Sequence, residues 1–309
     1  MPVSKWQPTD GATTHSGQTI PSDMDFFEAP HPSIGTVISA ESTLKTSDRP
    51  MPSSRRIQFI SFGAAAAGVL IYAVFNATGV GLTGGPIVVL LLAAAIVGTI
   101  IYFFTRFGHR CSYVGERGVV EYRLKGTRSG KPTSEMHLFS ETADLFTSAT
   151  RNYYNGIYTG TNYLFRWVDG GSQVFKLNGV YRSQKGWPKE GDRWHFANAA
   201  EGAWSGFRVK SLTASLEQTG YVEFPLKGNP KAVRIGSGFM EFLLKDESTQ
   251  RVEVKDMKKI SLGQGFFKFA HQDARWWSGK GKFSFSYAGL PNAKLFLYCL
   301  KQLTGIHWS

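Results

Sequence analysis

The sequence predicts a two-helix transmembrane hairpin followed by an α+β region built mostly of antiparallel strands. Two uncharged runs carry the first half of that prediction, IQFISFGAAAAGVLIYAVFNAT over 57–78 and PIVVLLLAAAIVGTIIYFFT over 86–105. The second half comes from residues 106–309, where short alternating runs rich in Val, Tyr, Phe and Thr are broken by Gly, the pattern of half-buried strands. The chain divides along the same lines into a tail over 1–56, the hairpin over 57–105 and a mixed region reaching residue 309.

At about 1.5 Å of rise per residue, each apolar run is long enough for a hydrocarbon core of roughly 30 Å. The polar stretch of 56 residues ahead of the first run separates it from a signal peptide, whose apolar region sits at the N-terminus. Gly63 and Gly68 mark a close helix-to-helix contact, because small residues let backbones approach. Arg49, Arg55 and Arg56 precede the first run, Arg106 and Arg110 follow the second, and the connector GVGLTGG has no charge. The positive-inside rule then puts both ends in the cytoplasm. Gly79, Gly81 and Gly84 spell GxGxxG, but a dinucleotide site needs a strand before it and an acid about 20 residues on. Apolar spans flank this one, so it reads as a turn.

Charge is distributed unevenly. The tail holds five basic and six acidic residues, whereas residues 106–309 hold 30 basic and 17 acidic, a net +13 on the region that the hairpin would keep near a membrane. Anionic headgroups attract basic residues near the surface by about 1 kcal/mol each. Membrane lipids are therefore the expected partner, and nucleic acid, the other generic anion, is not expected. The tail contains seven of the 13 prolines and little periodicity, so it is expected to be a disordered cytoplasmic segment. Within it, Asp25, Phe26, Phe27 and Glu28 form an acidic and aromatic island, the composition of a short motif that docks on a protein partner.

Strands are expected over 112–124, 153–168, 173–182, 231–245, 250–260, 264–271 and 282–287. One helix is expected from His195 to Thr219 with Gly220 as its C-cap, and another from Pro291 to Gly305, by the usual asymmetry of helix termini. GVVEYRLK at 118–125 aligns with GFMEFLLK at 238–245, and LEQTG at 216–220 with LKQLTG at 300–305. A duplication would give two units, each closing with a helix. Through YNGIYTGT (154–161), HFANAAEGAW (195–204) and LPNAKLFLYCLKQLTG (290–305), the sequence resembles a family of bacterial membrane proteins of unknown function with pleckstrin-homology-like (PH-like) domains. The resemblance implies tandem PH-like units, a first over 106–220 with an insertion and a second over 221–309. It also implies a bacterial inner membrane and no reaction.

The residues themselves suggest none either. The seven histidines lack metal-ligand spacing, GxSxG is absent, and GKGK at 279–282 lacks the upstream glycine of a phosphate loop. Cys111 and Cys299 read as two buried thiols. Neither metal nor cofactor is expected. One segment has binding character: Arg275, Trp276, Trp277, Lys280 and Lys282 combine aromatic rings suited to the interfacial layer with cations suited to phosphates. The expectation is a non-catalytic membrane module that recognises anionic headgroups or a protein partner, with an accessory subunit of a larger membrane complex as the alternative.

Overall fold

In the computed structural model, residues 5–79, 84–183, 188–228, 230–263, 265–274 and 281–307 are described. The chain enters its first sheet early, at β1 (Val37–Ser42), before either apolar run. α1 (Ser53–Ala77) and α2 (Gly84–Phe104) come next. β2 (Gly108–Gly115) then returns to pair antiparallel with β1, from Val37 opposite Gly115 to Ser42 opposite Cys111. The helical pair is thus an insertion in the connection of a β-hairpin. Both helices are long and apolar enough to cross a bilayer, and their windows of highest hydropathy are 0% and 6% buried, which separates them from the core helices of a soluble protein.

α1 packs along α2 through its small residues. A Cβ added at Gly63 would overlap Ile101, and one at Gly98 would stand 3.4 Å from Ile60. Close backbone approach is what holds such pairs when lipid is as apolar as the side chains. Gly63→Leu is expected to force the helices apart and lower the thermal midpoint of the detergent-solubilised protein, while Ala66→Leu, on an exposed position of the same helix, leaves it unchanged.

β3 (Gly118–Lys125) and β4 (Thr133–Leu138) complete a four-stranded antiparallel sheet in the order β1-β2-β3-β4. β5 (Asp144–Tyr154), β6 (Ile157–Asp169) and β7 (Ser172–Tyr181) make a three-stranded sheet, and α3 (Arg193–Thr219) follows. Next come β8 (Tyr221–Pro225), β9 (Ala232–Gly236), β10 (Phe239–Leu243) and β11 (Thr249–Glu253), again a four-stranded sheet in sequential order. β12 (Met257–Gly263), β13 (Phe266–His271) and β14 (Lys282–Ser286) form a second three-stranded sheet, and α4 (Ala293–Thr304) ends the fold. Both α3 and α4 stop at a left-handed glycine, Gly220 and Gly305, where a side chain would strain the backbone.

Several expected strands are hairpins. The run over 112–124 turns at Glu116 and Arg117, and the run over 231–245 turns at Ser237 and Gly238. The tail also departs from expectation. Residues 5–50 carry β1, a 3-10 turn at Pro32–Ile34 and the isolated bridges Thr13 to Ser39 and Met24 to Lys45. Phe26, Ile34, Ala40 and Leu44 are buried with Tyr113, Val120 and Leu124 in one core. Pro32 opens the 3-10 turn and Pro52 caps the start of α1, positions where the missing N–H costs nothing. Hence the first sheet begins at residue 37, ahead of the boundary expected at 106.

Two further cores lie under the helices. In the first, Trp204 of α3 packs edge-on to Phe139 with ring centroids 5.7 Å apart, beside Leu145 and Trp167. In the second, Phe296 of α4 stands edge-on to Phe224, Phe267 and Phe285. Asn292, in the left-handed conformation just before α4, connects the two halves. Its Oδ1 accepts from the backbone N–H of Leu145 at 3.0 Å and from Trp204 Nε1 at 2.8 Å, and its own N–H donates to the Leu145 carbonyl at 2.7 Å. Nearby, Lys294 of α4 lies 3.5 Å from Glu201 of α3, whose carboxyl pKa is raised chiefly by burial and lowered in part by that lysine.

Candidate functional site

The strand ends that bear the helical pair form a surface of distinctive charge. Thr43–Pro52 leads from β1 to α1, and Thr105–Phe107 leads from α2 to β2. The β3–β4 turn lies beside them, because Lys125 pairs with Gly108 and the Gly126 N–H donates to the Phe107 carbonyl at 2.9 Å. This turn, KGTRSGK over 125–131, therefore joins the arginines at the feet of the helices.

Within the surface one arginine is structural. Arg128 donates to the Asp48 carbonyl at 2.6 Å and to the carboxylate of Asp25, which is 6% exposed. It fastens the turn to the connector. Lys45 is similarly occupied by Asp23 at 2.9 Å. By contrast Arg55, Arg106, Arg110, Lys125 and Lys131 are exposed and carry no ion pair among the described residues. A run of unpaired cations at the base of an apolar hairpin attracts anions.

The aromatic island in the tail is turned inward. Phe26 and Phe27 are 1% and 8% exposed, with Phe26 packed edge-on to Trp6 at 4.8 Å. Asp25 holds Arg128, and Glu28 pairs with Lys5 at 2.8 Å while its carbonyl accepts from the Tyr113 hydroxyl. The four residues staple the tail to the first sheet, so they are not a free docking motif. Of the segment expected to meet lipid, Arg275, Trp276, Trp277 and Lys280 lie outside the described residues, and Lys282 opens β14 opposite Ala270. The cationic turn at 125–131 escaped sequence reasoning because its neighbours come from residues far away in the chain.

A second concave feature opens at the other end of the first sheet. A groove of about 1000 Å³ runs between Thr13–Gly17, the start of β1, the β2–β3 turn and the small face of α3 at Ala199, Gly202, Ala203 and Gly206, with Arg117, Arg208 and Lys210 along it. At its floor the buried His15 meets Ser39 Oγ at 2.8 Å and Ser112 Oγ at 2.9 Å. Burial is the main cause that lowers its pKa to about 3, assisted by His195. A serine beside a histidine is the beginning of a nucleophile–base pair. Here, though, the second ring nitrogen meets another hydroxyl, and so weak a base gains little by Brønsted behaviour. The cluster is a core polar network.

That network predicts a pH dependence. His15 is neutral when folded, while the unfolded histidine titrates near 6.5; stability is therefore full above about 6.5 and falls as pH drops toward about 3. Replacing His15 with Asn is expected to flatten the unfolding midpoint between pH 6.5 and 4, at a cost in stability at pH 7.5. An unchanged slope would assign the acid sensitivity elsewhere, such as to His137, whose pKa burial lowers to about 4.

Cys111 and Cys299 are buried and unbridged, and burial raises their thiols to about 12 and about 11. The described residues contain no group of three or more metal-binding side chains. No protein-family model and no curated protein matches the chain.

Proposed function

We propose that this chain is a non-catalytic, membrane-anchored binding module. In this reading α1 and α2 cross the bilayer with both ends on the cytoplasmic face, and two PH-like units are held against that face. They recognise anionic lipid headgroups. The observation that carries it is the position of the helical pair: an insertion in the β1–β2 connection, with the exposed Arg55, Arg106, Arg110, Lys125 and Lys131 at that end of the sheet.

The PH-like part of the reading rests on the element order. Four-stranded sheet, three-stranded sheet and helix occur twice in succession. The similar strings at 118–125 and 238–245 fall on the third strand of each four-stranded sheet, which favours a duplication. The first unit then spans β1 to α3 with the hairpin as its insertion, and the second β8 to α4.

The test is extraction of the full chain in mild detergent, followed by identification of the lipids that stay bound. Anionic lipids are expected to be enriched over zwitterionic ones, and Arg106→Gln with Lys125→Gln and Lys131→Gln is expected to remove most of the enrichment. Equal retention of both lipid classes by the native chain would refute headgroup recognition. An accessory-subunit role is favoured by one feature, the α3 groove, and predicts a second protein at fixed stoichiometry in the same preparation.

A further inference from the structure

The longest hairpin of the fold ends in an exposed apolar tip. β5 and β6 are joined by Asn155 and Gly156, both left-handed at φ of 47° and 78°, the conformation of a tight two-residue turn. β7 stops at Tyr181, opposite Thr161, and Ser183 still meets the Tyr158 hydroxyl, so, among the described residues, 153–157 project beyond it as the two-stranded tip of a ribbon. On it Tyr154, Ile157 and Tyr153 are 72%, 70% and 52% exposed. No acid occurs between Asp144 and Asp169, while Arg151 and Arg182 stand exposed at the neck of the ribbon.

The direction of the ribbon is set by contacts along α3. Leu145 of β5 is level with Trp204, since both donate to Asn292. Further toward the tip, Tyr163 stacks on Tyr181, which meets Trp194 in the first turn of α3. The ribbon therefore runs along α3 from its middle past its N-terminus. That N-terminus is level with the middle of the first sheet, where Arg193 binds Glu121 at 3.1 Å, whereas residues 199–211 flank Ile38 and Arg117 at the end remote from the helical pair. Past Trp194 the tip thus advances toward the end of the sheet from which α1 and α2 emerge. From Tyr163 to Ile157 at about 3.3 Å per residue it extends by roughly 20 Å more.

We infer that the β5–β6 tip is a membrane wedge: Tyr153, Tyr154 and Ile157 enter the interfacial layer of the bilayer that α1 and α2 cross, with Arg151 and Arg182 at the phosphates. Tyrosine rings favour that layer because one end is apolar and the other wet. The inference rests on the proposed membrane crossing and adds a third contact point away from the hairpin axis, one that depends on apolar insertion rather than headgroup charge.

The test uses the full chain in lipid nanodiscs with a nitroxide placed at Ile157→Cys, Leu92→Cys in α2, or Ser172→Cys at the start of β7, beside the turn at the far end of β6. The native thiols are buried and stay unlabelled. Each site is probed with oxygen, which partitions into lipid, and with a polar nickel complex, which does not. The oxygen-to-nickel accessibility ratio at Ile157→Cys is expected to exceed that at Ser172→Cys several-fold, in phosphatidylcholine alone as well as with phosphatidylglycerol added. A ratio at Ile157→Cys equal to that at Ser172→Cys, with Leu92→Cys still protected from nickel, overturns the wedge and leaves the anchor standing. Nickel access at Leu92→Cys as well overturns the membrane crossing itself. Dipolar broadening between Ile157→Cys labels, from tips paired across two copies, also overturns the wedge.

Discussion

Asn292→Ala is expected to lower the stability of the whole β-rich region by about 3–8 kcal/mol. Two donors inside the fold, the Leu145 N–H and Trp204 Nε1, lose their shared acceptor. Leu145 and Trp204 are 1% and 0% exposed and Asn292 is half-buried, and each orphaned donor costs about 1–3 kcal/mol. Alanine at φ of 55° adds backbone strain of roughly 1–2 kcal/mol. Asn292→Gly separates the two contributions, because glycine accepts the left-handed backbone but still offers no side-chain acceptor. Denaturant midpoints read by tryptophan fluorescence should rank the native chain first, Asn292→Gly second and Asn292→Ala last. If Asn292→Gly matches the native midpoint, the side-chain hydrogen bonds of Asn292 contribute nothing.

Phe26→Ala is the second large effect, at about 3–5 kcal/mol for an aromatic ring removed from a closed core. The ring is 1% exposed and touches both Trp6 and Tyr113. Its loss should loosen the tail from the first sheet, so that a protease cuts ahead of Ser53 at concentrations that leave the native chain intact. A native chain already cleaved there at the lowest protease dose would restore the view of residues 1–56 as a disordered tail.

These two residues show where sequence reasoning reached and where it stopped. The helical pair was legible because an uncharged run of sufficient length needs no partner to be recognised. α3 and α4 were legible from local signals, including Gly220 and Gly305 at their ends. Asn292 lay inside the string at 290–305 that opens the last helix, but Leu145 and Trp204 belong to the other half of the region, and nothing local announces such a bond. The tail was misjudged for the same reason. VISAES at β1 is only six residues among prolines, and its partner β2 arrives after the whole helical insertion. The cationic surface was half legible: the arginines flanking the helices stood out as charges, whereas Lys125 and Lys131 joined them only through the register of β3 with β2.

That late pairing also fixes an order of assembly. During synthesis β1 emerges first, yet its partner strand β2 is made only after residues 43–107. Closing so long a connection is slow when its interior is unstructured; under the proposed crossing, entry of α1 and α2 into a bilayer side by side delivers the two feet next to each other. On that reading insertion is the nucleation step for the first sheet. A chain whose helices fail to enter a membrane would carry β2 with an open edge, displaying Cys111 and Tyr113, the kind of template that recruits other strands. Under the proposed crossing, membrane entry and freedom from aggregation are one event for this topology.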